Sequence, residues 1–132
     1  MNGALALRGV LLAALRDDAG LMALVNSVED GGVPKQSAPA VTLGQLFATE
    51  WGARGVSGLA VRVPLTLVDR ADVPDRLGAV AIRIGVVMSE LPAEAGGWRI
   101  GDARFERARS LRGPDGQWSM LVDYRVRLSR AE

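Results

Sequence analysis

The chain has 132 residues, 48% of them hydrophobic, and a formal net charge of +1 from 16 basic and 15 acidic side chains. This suits one globular domain over residues 1–132 and calls for no polyelectrolyte partner. With no Cys and no His, the chain has no disulfides, no thiol chemistry, no zinc site built on those ligands and no His general base.

The first predicted element is a helix over Ala4–Arg16, with Leu7, Leu11, Ala14 and Leu15 on one stripe and Val10 beside it. The apolar run from Val10 to Leu15 is short and is flanked by Arg8 and by Arg16-Asp17-Asp18. It therefore does not read as a signal peptide, and a soluble, non-exported chain is expected. The stretch from Ala79 to Met88 is interrupted by Arg83 and is too short to span a bilayer, so no membrane partner is expected. Asp17-Asp18 ends the first helix and offers an N-cap to a second over Ala19–Val25. Glu29–Pro39, rich in Gly, Pro and polar residues, reads as a loop.

Ala40–Trp51 is predicted as a long strand with Val41, Leu43, Phe47 and Trp51 on one face. Gly52–Gly58 reads as a flexible connection. A second strand follows over Leu59–Asp69, with Leu59, Val61, Val63, Leu65 and Leu67 alternating with Ala60, Arg62, Pro64 and Thr66. Pro64 cannot donate a ladder bond, which predicts an edge or a bulge there. Asp72-Val73-Pro74 is a helix start, and Leu77, Val80, Ala81, Ile84, Val87 and Met88 recur at helical spacing up to about Met88. Pro92–Gly97 reads as a loop.

Trp98–Arg130 reads as two long strands joined at Gly113-Pro114-Asp115-Gly116, where Pro presets φ and Gly accepts φ > 0. Trp118, Met120, Val122, Tyr124, Val126 and Leu128 fall on one face. Ser119, Asp123, Arg125, Arg127 and Ser129 fall on the other, with Leu121 the apolar exception. The order helix, helix, strand, strand, helix, strand, strand predicts an α+β fold. Its antiparallel sheet has about four main strands, with helices packed on one face.

Residues that could carry chemistry are few. A Ser nucleophile would lack a His base, Ser57 between glycines resembles no nucleophile elbow, and the only Lys, Lys35, sits in the Pro-containing loop. The acidic pairs Asp17-Asp18 and Asp72/Asp75 read as helix caps. No glycine pattern opens a helix as a nucleotide site requires. Catalytic, metal and cofactor sites are therefore not expected. The remaining feature is charge. Arg99, Arg104, Arg107, Arg109, Arg112, Arg125, Arg127 and Arg130 face five acids in the same segment. Such a face can meet phosphates or an acidic partner, or can be a solvated, salt-bridged strand surface. It lacks the interleaved aromatics that base stacking requires.

Taken together, these segments resemble the small tail-completion or tail terminator proteins of long-tailed phages and gene transfer agents. The likeness lies in Ala4-Leu5-Ala6-Leu7-Arg8, Leu15-Arg16-Asp17-Asp18-Ala19-Gly20-Leu21, Ala38-Pro39-Ala40-Val41-Thr42-Leu43-Gly44, Glu50-Trp51-Gly52, and Arg104 through Gly116 with the strand ending Tyr124-Arg125-Val126-Arg127-Leu128. It is carried by the order and spacing of these pieces rather than by any one of them. Such relatives often have a strand near residues 27–33. Here Val28-Glu29-Asp30-Gly31-Gly32 is weakly patterned, and no extra strand is expected.

The resemblance implies a six-subunit ring in the virion tail, assembled in the bacterial cytoplasm. The ring would cap the tail tube protein, stop its polymerisation, dock to the head-side connector or stopper protein, and pass DNA through a central channel without sequence specificity. It implies neither catalysis nor a cofactor. A ring needs surfaces for a closing head-to-tail contact. The candidates are Trp51, Arg54 and Val56 around the glycine-rich connection, Pro64, and Arg112, Pro114 and Asp115 at the hairpin tip. Candidates for a channel-facing or charged surface are Arg107, Arg109, Arg125 and Arg127. The alternatives are another neck or connector protein of the same particle, and a small α+β ligand-binding module.

Overall fold

The computed structural model describes residues 2–32 and 37–131; Lys35 and Glu132 lie outside them. The α+β expectation with about four antiparallel strands is overturned. The chain is mostly β, 48% strand against 27% helix, and the seven strands among the described residues form one curled, mixed sheet. The order is β1-β2-β4-β7-β6-β5, and β3 is joined to β4 off this path. In chain order the strands are β1 (Ser27–Asp30), β2 (Ala40–Leu43), β3 (Phe47–Ala53), β4 (Val56–Asp69), β5 (Glu94–Ala95), β6 (Trp98–Arg112) and β7 (Trp118–Ala131). The helices are α1 (Gly3–Asp17), α2 (Ala19–Met22) and α3 (Asp75–Ser89).

Four particulars account for the difference. First, β1 exists and pairs parallel with β2. Its weak pattern is offset by partners from elsewhere: the Arg16 guanidinium donates twice to the Val28 carbonyl, at 3.0 and 2.8 Å, while the Val28 side chain enters the core. Second, the single strand expected over Ala40–Trp51 is two strands. β2 pairs with residues 65–68 of β4 and β3 with residues 56–62. The break lies opposite Pro64, whose carbonyl accepts from Gly44 N–H at 2.8 Å. The Arg8 side chain takes up the Leu43 and Gly44 carbonyls at 2.9 and 2.6 Å. Pro64 therefore sits neither on a sheet edge nor in a bulge, but where β4 changes partners. A residue that cannot donate is tolerated there. Third, the segment expected to be a flexible connection, Gly52–Gly58, is largely strand, and only Arg54 and Gly55 form the turn. Fourth, the loop expected over Pro92–Gly97 contains β5.

α1 follows its apolar stripe, burying Leu7, Leu11 and Leu15, and Asn2 caps it by accepting from Ala4 N–H at 2.9 Å. Asp18 caps α2, which ends at Met22. α3 begins at Asp75, with no side-chain cap, and buries Leu77, Val80, Ile84, Val87 and Met88. These side chains pack with Val61, Val63, Leu65 and Leu67 of β4 and Val122, Tyr124, Val126 and Leu128 of β7 in one cluster. The helices thus cover one sheet face, the inner one. Asp69, the one buried charged residue among those described, is held by Arg76 through two bonds of 2.8 and 2.6 Å.

Candidate functional site

The outer face is built by the same alternation that makes the core. On β4, the outward residues are Ala60, Arg62, Pro64 and Thr66, with Gly58 on the same face but buried under Trp51. On β7 they are Leu121, Asp123, Arg125, Arg127 and Ser129. Register aligns Arg62 with Arg125 and Arg125 with Arg104 across three strands. It also sets Ala60 beside Arg127, Asp123 beside Arg107, and Leu121 beside Arg109. The four arginines expected on a charged face, Arg107, Arg109, Arg125 and Arg127, therefore share one face.

Three cations in a row repel one another, and the structure answers with an acid. A register shift between Phe105 and Arg107 inserts Glu106 as an extra residue. Its carboxylate stands 3.9 Å from both Arg62 and Arg125. Asp123 binds Arg107 at 2.7 Å, and Asp102 binds Arg104 at 2.5 Å. That Arg104 guanidinium holds the Asp102 carboxyl below its ordinary range. Seven arginines on this face (62, 99, 104, 107, 109, 125 and 127) thus stand against Asp102, Glu106 and Asp123. The curl of the sheet turns the centre of the face into a trough of about 680 Å³, lined by Thr49, Ala60, Arg104, Glu106, Arg125 and Arg127 among others.

Sequence reasoning counted Arg104 among the hairpin arginines but did not single out Arg62 for this face. Alternation signals Arg62, which sits between buried Val61 and Val63. The Glu106 bridge has no such signal, because it depends on a bulge that shifts the pattern.

The candidates for a subunit contact do not form one patch. Trp51, Arg54 and Val56 lie at the β3–β4 turn, and Arg112, Pro114 and Asp115 lie at the β6–β7 turn. β4 spans from one to the other: Val56 pairs with Ala131 at one end and Asp69 with Trp118 at the other. At about 3.3 Å per residue the two groups are roughly 40 Å apart, with Pro64 between them. The Trp51 indole lies across Gly58, where an added Cβ would fall 2.3 Å from the ring, and the Arg127 guanidinium stacks over it at 4.3 Å. The two other tryptophans are capped in the same way, Trp98 by Arg130 at 4.4 Å and Trp118 by Arg112 at 5.5 Å. Trp98 is buried, and Trp118 is half-buried against the core cluster. At the far tip, Asp115 meets Arg70 at 3.4 Å, and Gly116 takes φ 82°, as the turn requires.

Among the described residues no acidic cluster could hold a metal ion, and no helix is long and apolar enough to cross a membrane. Two long strands are left uncovered. All of β3 except half-buried Trp51 is exposed, and so is β6 from Arg104 to Arg112. The site is an extended basic surface between two open sheet edges, suited to contact with large partners.

Residues 9–129 match the family described as Tail completion protein gp17. Among solved structures, the chain is similar to one from the virion of a native gene transfer agent particle. That chain is 18% identical, with a TM-score of 0.83, covering 96% of this chain and 97% of the other. At that identity the likeness is one of fold. Comparison with curated protein sequences gives no match.

Proposed function

Since the chain belongs to the tail completion protein gp17 family and its role is structural, in a phage-type tail, we propose that it acts as a ring. Six copies close head to tail on the end of the tail tube, stop its growth and join it to the head-side connector. DNA passes through the central opening. The ring is a component of the particle's tail and is put together in the bacterial cytoplasm before release. It catalyses nothing; its work is done by its surfaces.

The observation that carries this reading is the arginine face. Seven guanidinium groups against three carboxylates give a local positive excess, partly neutralised by Glu106, Asp102 and Asp123. Such a surface attracts phosphates without reading bases. The internal acids keep the attraction moderate, which suits DNA that must slide rather than stay. The open edges β3 and β6 supply surfaces for neighbouring copies.

The test is the mass of the purified protein by light scattering, alone and then mixed with its tail tube protein, followed by negative-stain imaging. A closed ring, free or formed on tube ends, is expected. A monomer indifferent to tubes would overturn the reading. DNA binding by the assembled ring is expected to be weak and to fall with salt.

A further inference from the structure

We propose that the two open sheet edges of this chain are partners: β3 of one copy pairs antiparallel with the Arg107–Arg112 edge of β6 of a second copy. This rests on the ring reading above and names its contact surface.

The edges come first. β3 pairs with β4 on one side, and no described strand lies on its other side. β5 reaches only Trp98 and Arg99 of β6, leaving the rest of that edge open. Beyond its second register shift, β6 pairs with β7 without interruption from Arg107 to Arg112. Each open edge presents a row of unpaired backbone N–H and C=O groups, a template for another strand. The two are similar in length, seven residues in β3 and the six from Arg107 to Arg112.

Charge then selects the partner. The β6 segment carries Arg107, Arg109 and Arg112 and no acid, whereas the only charge on β3 is Glu50, which lies opposite Leu59 and so shares a sheet face with Arg112, the partner of Trp118. Pairing β6 with another β6 sets arginine rows side by side, and pairing β3 with β3 brings two copies of Glu50 together. Like charges at facing strand positions are destabilising, and opposite charges are favourable. Bulges and charged residues commonly guard an edge against pairing. Here the bulges stop short of a regular stretch whose Arg112 suits an edge bearing an acid on the same face. A two-fold dimer is disfavoured, and a head-to-tail contact, which a ring requires, is favoured.

Strand direction agrees. β3 is antiparallel to β4, β4 to β7 and β7 to β6, so β3 and β6 run opposite ways. A second copy placed by rotation continues the alternation, and the joint is antiparallel. The centre of β3 lies opposite Leu59 of β4, whereas Ala108 is at the level of Leu65 through Val122. The joint therefore staggers neighbours by about six residues along the strands. In a closed barrel, such stagger is met by tilting the strands.

The chain has no cysteine, so engineered cysteines report the contact directly. Thr49→Cys is combined in turn with Arg107→Cys, Arg109→Cys or Leu111→Cys, all on the outer face. Each full-length double variant is oxidised free in solution and on tail tubes, then run on a non-reducing gel beside the single variants. At least one combination is expected to give a ladder of multimers, collapsed by reductant, while single variants stop at dimers. Rings in negative stain with no ladder from any combination would overturn the edge pairing and leave the ring reading standing. Absence of assembly under every condition would overturn both. As an independent readout, Glu50→Arg is expected to raise the concentration for half-assembly by about five-fold, with Arg112→Glu, on the same face of the sheet, restoring it in the same chain. No restoration, in a protein that still melts normally, counts against the charge match.

Discussion

The two faces of β7 obey opposite rules although they alternate residue by residue. On the inner face Val122 is 3% exposed, and Val126 and Leu128 are fully enclosed. On the outer face Leu121 is 37% exposed, and Arg125 and Arg127 stand in the open. The inner face is fixed by helices that leave no room, and it tolerates only apolar volume. The outer face holds charges that the fold itself does not need. Stability resides in one face, and the capacity for contact in the other.

The sharpest way to break this comparison is to place the same acid on each face in turn. Val122→Asp sets a carboxylate beside Leu65 in the buried apolar cluster. The cost is expected to be about 5 kcal/mol or more, enough to remove cooperative melting. Leu121→Asp, one residue earlier, faces Arg109 and should shift stability by less than about 0.5 kcal/mol. Circular dichroism melts of both variants decide it. Similar effects from the two would show that the faces are not distinct.

Gly58→Ala probes the place where the outer face is packed. Its added Cβ would fall 2.3 Å from the Trp51 ring, so the indole must leave its seat under Arg127. A loss of about 1–3 kcal/mol is expected, typical of overpacking. It should appear as a lower urea midpoint and a changed near-ultraviolet tryptophan signal. An unchanged signal would mean that Trp51 does not rest on Gly58.

The inner face was legible in the sequence because period two in β7 and helical stripes in α1 and α3 are direct imprints of burial. The α+β class and its strand count were not. β1 is held by Arg16, and the β2–β3 break is governed by Pro64 on a different strand. Neither tie leaves a local pattern. Alternation also placed Arg125 and Arg127 on the outer face. The partnership of Arg62 with Glu106 depends on the bulge after Phe105, which reverses the alternation on which such reading relies.

Removing charge from the outer face should touch binding more than folding. For Arg125→Ala with Arg127→Ala, the stability loss is expected to stay near 1 kcal/mol, set by the lost stacking on Trp51. The assembled ring should bind DNA more weakly, with a salt slope reduced by about 2. Unaltered salt dependence, measured on rings of normal appearance, would move the DNA path off this face.

The smallest effect separates the ion pairs of the two layers. Asp18 caps α2 and binds Arg83 of α3 through bonds of 2.7 and 2.8 Å, tying the helices together. The Arg83 guanidinium first, and the Leu21 N–H second, lower its pKa from 3.8 to about 2. A carboxyl lowered on folding contributes stability that is complete above its unfolded value and is lost as pH falls through its folded value. The Asp18 contribution should therefore fade between about pH 4 and pH 2. Asp18→Asn should flatten the fall of Tm across that window while slightly lowering Tm at pH 7. Some fall should remain, since Arg76 likewise depresses Asp69. On the outer face Arg104 also lowers Asp102, but the two are near neighbours in sequence and open to water. Such pairs contribute little, because the same contact survives in the unfolded chain and solvent screens it. Asp102→Asn is expected to leave the acid limb of the Tm profile unchanged. If it flattened that limb as much as Asp18→Asn does, the outer face would be part of the structural framework, and the division between the two faces would fail.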